Sequence, residues 1–174
     1  NALPTAVAAA SPVLFNNRIY LIGGLTGNSN TNVIMYAPLN ADGSTGVWSQ
    51  QSMTGVGATS VSYQYAYARA NPAAASTTPG NLFIFGGCTS SNNAGCTAYA
   101  QAVYKCNIQV SGAIAGCSTA GQLQIGTIPG DTATGLAIMS GTVYANYVYL
   151  IGDVSPNIQD LKSVRYAKID NNNN

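Results

Sequence analysis

Four cysteines (Cys88, Cys96, Cys106, Cys117) and five aspartates (Asp42, Asp131, Asp153, Asp160, Asp170) are nearly the whole stock of reactive side chains in this 174-residue sequence, which has no histidine and no glutamate. Without histidine there is no imidazole base to activate a serine or cysteine, and general acid/base work falls on aspartates alone. A paired-carboxylate glycosidase would have to draw on those five. Asp42 is better read as a turn residue, because Gly43 follows it inside "NADGSTG". Asp153 beside Asp160 offers a sparse calcium site at best, and a backbone role for Asp153 is the stronger reading. No catalytic constellation is recognisable, so the sequence reads as a non-enzyme with no cofactor and no metal.

The cysteines all fall within one third of the chain. An even number in two loop-like stretches points to two local disulfides, with three connectivities open. The expected pairing is Cys88 with Cys96 and Cys106 with Cys117, each closing one hairpin loop. Zinc is the competing reading, but it favours CxxC pairs and often histidine, and neither occurs. Disulfides imply an oxidising compartment, hence an extracellular or cell-surface location.

The elements that must carry these residues are short on charge. Charged residues make up 6% of the chain and hydrophobic ones 47%, against about 25% charged in an ordinary domain. The six basic residues form no stripe that could neutralise phosphates, so nucleic acid is not expected as a partner. No apolar run approaches the roughly 20 residues of a membrane-spanning helix. No basic region followed by an apolar one opens the chain at Asn1, and no N-x-Ser/Thr acceptor occurs. Length and hydrophobic content suit one domain with a single well-formed core.

β-Branched and aromatic runs broken by Gly and Pro predict an all-β fold. One pattern returns three times, as "RIYLIGG", "NLFIFGG" and "YVYLIGD", with the first glycines at Gly23, Gly86 and Gly152, 63 and 66 residues apart. Each copy is preceded by a strand-like segment and followed by a polar loop and a tyrosine-centred strand, around Tyr36, Tyr104 and Tyr166. The expected units are residues 1–55, 56–130 and an incomplete 131–174, each an up-and-down antiparallel sheet of four strands where complete. Asp153, standing where the others have a second glycine, is expected to take over its left-handed backbone role.

The Gly-Gly strand end, Tyr36 at 12 residues beyond Gly24 and Trp48 a further 12 on resemble the kelch repeat. The resemblance covers nearly the whole chain, although the second copy lacks the tryptophan and the third stops before that strand. It implies about three β-propeller blades, completed either by further sequence or by other chains that pair at their exposed strand edges. It says little about function, since kelch-like propellers serve adhesion, interaction and enzyme frameworks alike.

In a bladed fold the loops after the glycine strands emerge side by side. "LTGNSNTN", "CTSSNNAGCTA" and "VSPNIQD" then bring together Asn28, Asn30, Asn32, Asn92, Asn93 and Asn157 as candidate binding residues for a protein or a glycan. The alternating Tyr63, Tyr65 and Tyr67 share one strand face and are expected to pack between sheets rather than to form a sugar platform; Trp48 is likewise expected to pack. The leading function is a non-catalytic extracellular binding or adhesion module. The alternatives are a structural subunit that self-assembles through open blade edges and an accessory propeller region of a secreted carbohydrate-active enzyme.

Overall fold

The structure, a computed structural model, describes residues 1–54, 64–70, 79–92, 95–122, 140–153 and 161–169. Among these residues lie fifteen strands: β1 (Ser11–Phe15), β2 (Arg18–Ile22), β3 (Leu25–Thr26), β4 (Ser29–Asn30), β5 (Val33–Pro38), β6 (Ser49–Ser52), β7 (Tyr65–Ala70), β8 (Gly80–Phe85), β9 (Cys88–Asn92), β10 (Gly95–Tyr99), β11 (Ala102–Ile108), β12 (Ile114–Gln122), β13 (Ser140–Tyr144), β14 (Tyr147–Asp153) and β15 (Leu161–Lys168). Among the described residues there is no helix, and so none long and apolar enough to cross a membrane.

The strands form two four-stranded antiparallel sheets, β1-β2-β5-β6 and β7-β8-β11-β12, and a three-stranded one, β13-β14-β15. These are the expected blades, and they do not close on one another. The expected unit boundaries near residues 55 and 130 lie outside the described residues.

The glycine strands β2, β8 and β14 take the same place, second in each blade. Their alternation places successive side chains on opposite faces. In β2, Tyr20 and Ile22 face the second blade and are buried with Ala66, Leu82 and Ile84. In β8, Leu82 and Ile84 point back to the first blade, while Phe83 and Phe85 point forward to Val148 and Leu150 of the third. Strand β8 is therefore buried along its entire length. One strand thus contributes side chains to both cores.

Polar groups lock the first joint. Gln51 of β6 acts like a peptide unit towards β12, its carboxamide donating to the Ile114 carbonyl at 2.8 Å and accepting from the Ile114 amide at 3.0 Å. The Cys117 amide donates to the Thr54 carbonyl, the Ala66 amide to Ser11 Oγ, and Gln64 Nε2 to the Ile22 carbonyl. At the second joint Arg69 donates to Asn146 Oδ1 at 2.9 Å.

Tyr65 and Tyr67 pack between sheets as expected, Tyr67 stacking on Phe83 at 5.1 Å and on Phe85 at 5.8 Å; Tyr63 lies outside the described residues. Trp48 is half-buried just ahead of β6. Two expectations change. Tyr36 and Tyr166 do share a ladder position, opposite Tyr20 and Tyr149, but Tyr104 stands opposite Ile84, one residue out of step. A one-residue offset sends a side chain to the other face, so Tyr104 packs towards the first blade instead. Asp153 does not replace the second glycine of the turn: Gly24 and Gly87 have φ of 104° and 107°, whereas Asp153 extends β14 and pairs with Leu161 after a register shift.

Candidate interaction surface

The segments that follow the first two glycine strands are not open loops but small β-hairpins, β3–β4 and β9–β10. Their origin is the glycine pair. Gly23 and Gly24, and likewise Gly86 and Gly87, all have positive φ, a backbone that glycine adopts without strain and that lifts the chain out of the blade. At Gly24 no side chain would fit, since a Cβ would sit 2.5 Å from the Ala8 carbonyl oxygen. That contact belongs to the bridge between Ala8 and Leu25, which anchors the root of the first hairpin.

The two hairpins lie against one another. Asn30 Nδ2 in β4 donates to the Cys88 carbonyl at the start of β9, at 2.9 Å. Both disulfides form with the expected pairing. Cys88–Cys96 ties β9 to β10, and Cys106–Cys117 joins directly opposed residues of β11 and β12, with Cα atoms 4.0 Å apart. The first stiffens the second hairpin; the second is packed into the joint between the first two blades.

The sequence-derived candidates divide accordingly. Asn28 is exposed at the tip of β3–β4, between Gly27 and the exposed Ser29. Asn30 turns inward and holds the hairpins together. Asn32 is half-buried and its carbonyl accepts from the Met53 amide, so its backbone belongs to the blade. Asn92 ends β9 opposite Gly95, while Asn93 and Asn157 lie outside the described residues. On the second hairpin Thr97 is exposed, and its hydroxyl contacts Ser90 Oγ at 3.1 Å. This surface is made of hydroxyls, carboxamides and peptide edges with no charged residue in either hairpin. It can form many directional hydrogen bonds and no ion pairs.

Of the expected alternatives for the aspartates, Asp42 is a turn residue. Its Oδ1 accepts from the Ser44 amide at 2.9 Å and the Ser44 hydroxyl at 2.7 Å, and these bonds hold its carboxyl below the usual carboxylate range. Among the described residues no three of His, Cys, Asp or Glu gather in a group able to hold a metal.

Two features were not anticipated from the residues. Between the second and third blades lies a cleft of about 150 Å³ walled by Tyr67, Phe83, Phe85, Val103 and Val148. The Tyr67 hydroxyl is buried without a hydrogen-bond partner among the described residues, and burial pushes its ionisation well above the ordinary phenol range. The second feature is the outer face of the third blade, where Tyr144, Ile151, Val164 and Tyr166 stand exposed. The signal for it lay in the repeat, because "YVYLIGD" alternates as "RIYLIGG" does.

No protein-family model matches this chain, and no curated protein does. Solved structures do match, and among them is that of YjhT, a β-propeller-like fold. It is similar at a TM-score of 0.60 and 13% identity, over 94% of this chain and 43% of that one. This chain thus spans less than half the length of that solved protein. At this identity the likeness speaks for architecture alone, and it agrees with the sheets: the chain has a β-propeller-like fold of antiparallel blades.

Proposed function

We propose that this chain is a kelch-like propeller portion of an extracellular or cell-surface protein that binds and does not catalyse. On this reading the paired hairpins β3–β4 and β9–β10 form the recognition surface. The observation that carries the reading is the bond from Asn30 to the Cys88 carbonyl. It joins two polar hairpins from different blades into one platform, and the Cys88–Cys96 disulfide reduces the ordering cost of the larger one when a partner binds. The two disulfides support an oxidising compartment.

The chemistry of the platform favours a neutral partner. Asn28, Ser29, Ser90 and Thr97 supply donors and acceptors but no charge, which suits the hydroxyls of an uncharged glycan or the polar edge of a protein better than a sulfated or sialylated sugar. A glycan array probed with the fluorescently labelled chain tests this. The expected result is retention on neutral glycans, reduced about tenfold or more by the combined substitution Asn28→Ala and Thr97→Ala, since several directional bonds are lost together. Retention only on anionic glycans, or binding indifferent to both substitutions, would move the site away from the hairpins.

A further inference from the structure

We infer that the cleft between the second and third blades binds a small aromatic carboxylate, its ring held among apolar walls and its charge held by Tyr67 and Arg69. The cleft of about 150 Å³ adjoins a second hollow of about 140 Å³, and the two share Phe85, Val103 and Val148. An apolar cavity of about 150 Å³ holds one benzene molecule. The walls suit a ring as well as the size does, because Tyr67 stacks on Phe83 and Phe85 with planes 12° and 14° apart, and flat faces of this kind stack on a further aromatic group.

The polar end consists of donors without acceptors. Strand pairing sets Tyr67 opposite Phe83 and Arg69 opposite Asn81, so both side chains leave the same face of β7, towards the third blade. The Tyr67 hydroxyl and Arg69 Nη1 are both buried with no hydrogen-bond partner among the described residues, and Tyr67 as a whole is only 9% exposed. The two groups feel one another: burial pushes the ionisation of Tyr67 up, and the charge of Arg69 pulls it the other way. Arg69 Nη2 donates to Asn146 Oδ1, and the Asn146 carbonyl accepts from the amide of Ile169, a residue that lines the cleft. The guanidinium is thereby tethered at the Ile169 end, with its second nitrogen unused.

The missing partner is an anion. Lys105 stands opposite Phe83, on the face that carries Tyr67, while Arg165 stands opposite Leu150 and lines the second hollow. With Arg69, three of the six basic residues of the chain meet at this joint, and no aspartate is among the described residues that line either hollow. A buried donor without a partner is costly, and more so when it is charged. A carboxylate offers two oxygens, one for the phenol and one for the guanidinium, in charge-assisted bonds. A neutral ring would fill the space and leave the guanidinium uncompensated; an inorganic anion would leave the apolar walls without contacts. Arg69 stands beside Asn81 at the start of β8, whereas the hairpin β9–β10 follows its end, so the charged end of the cleft is separate from the polar platform.

Equilibrium titration with benzoate, followed by ligand-observed NMR, tests the inference, with benzamide as the neutral probe of the same shape and far-UV circular dichroism as the check on folding. Benzoate should bind roughly tenfold or more tightly than benzamide, since only the carboxylate brings charge to both bonds. Tyr67→Phe removes an oxygen that has no partner, so it should keep or raise the stability of the free chain while weakening benzoate by about fivefold. Arg69→Gln should weaken it by about tenfold or more. Should Arg69→Gln misfold through loss of its bond to Asn146, Val103→Phe fills the cleft with both donors in place, and it should abolish binding of either probe. A wild-type chain without saturable benzoate binding overturns the inference, as do equal affinities for the two probes or benzoate binding indifferent to all three variants. Asp170 follows Ile169 and lies outside the described residues; binding that arises only in Asp170→Asn would make that carboxylate the anion of the site and overturns the inference as well.

Discussion

Two regions of this molecule carry almost the same four residues and have opposite fates. Tyr20, Tyr36, Ile22 and Ile34 sit in the core between the first and second blades, while Tyr149, Tyr166, Ile151 and Val164 lie on a face with an open outer side. The strands that hold them share the antiparallel pairing and the alternation that leads up to Gly23 and Gly152, although β14 runs on to Asp153. The repeat therefore encodes an adhesive face, and whether that face becomes core depends on what is packed against it. Propeller stability on this view resides in the joints more than in the separate sheets, much as in other repeat folds where neighbours bury one another.

The largest expected effect breaks this comparison at its buried side. Tyr20→Ala should cost about 3–5 kcal/mol, the range for removing a large buried aromatic side chain. Tyr166→Ala, at the equivalent of Tyr36 but exposed, should stay within about 0.5 kcal/mol in the monomeric chain. Urea unfolding followed by circular dichroism at low protein concentration measures both. If the two losses were similar, the third-blade face would have to be covered already within a single chain.

Next in size comes the disulfide at the covered joint. Cys106 and Cys117 face each other across β11 and β12 beside Leu82 and Ile34. Replacing both by alanine should lower stability by about 2–3 kcal/mol through the freed loop of the unfolded chain. Replacing Cys88 and Cys96 should cost less than that and act mainly on the hairpin, because β9–β10 is a separate two-stranded sheet outside the blade ladders. Reversed magnitudes would mean that the hairpins, and not the joints, support the fold.

How much of this was legible beforehand follows from the kind of signal each feature leaves. The glycine strands announced themselves by β-branched alternation that stops at Gly23, Gly86 and Gly152, a purely local pattern. Local spacing likewise paired the cysteines, 8 and 11 residues apart, each pair closing one hairpin. Tyr104 misled because a sequence motif fixes the presence of a tyrosine but not its register, and one residue of offset changes its face. The inward turn of Asn30 depends on the Cys88 carbonyl 58 residues away, a contact between blades that composition does not carry. The alternation in "YVYLIGD" carries the apolar face of the third blade but not its exposure, because exposure is a property of neighbours.

A smaller effect sharpens the same comparison at the turns. The two-residue turn from β1 to β2 is Asn16-Asn17, with φ of 47° and 54°, and its counterpart from β13 to β14 is Ala145-Asn146, with φ of 46° and 65°. Asn tolerates this left-handed region and Ala does not, so the third blade uses a strained residue where the first has a suitable one. Ala145→Asn should raise stability by roughly 0.5–1 kcal/mol, and Asn16→Ala should lower it by about the same. Thermal unfolding of the two variants reads both signs at once. A loss on Ala145→Asn would show that the methyl group of Ala145 is engaged in packing that outweighs the backbone strain.

The smallest effect is a pH dependence confined to the first blade. The bonds from the Ser44 hydroxyl and amide to Asp42 depress its ionisation below the usual 3.8 in the folded chain. A carboxylate depressed by folding adds stability at pH values above its unfolded pKa, and that contribution disappears as pH falls through the folded value. The urea midpoint should therefore slip slightly as pH drops from about 5 to below the ordinary carboxylate range, and Asp42→Asn should flatten that part of the profile. With five aspartates and no glutamate, few other groups titrate there, so even a shallow slope can be assigned. Because Asp42 is fully exposed, solvent screens the gain and the slope must remain far below the loss from Tyr20→Ala. A steep acid transition in the wild-type chain that survives in Asp42→Asn would instead point to another aspartate engaged at a joint.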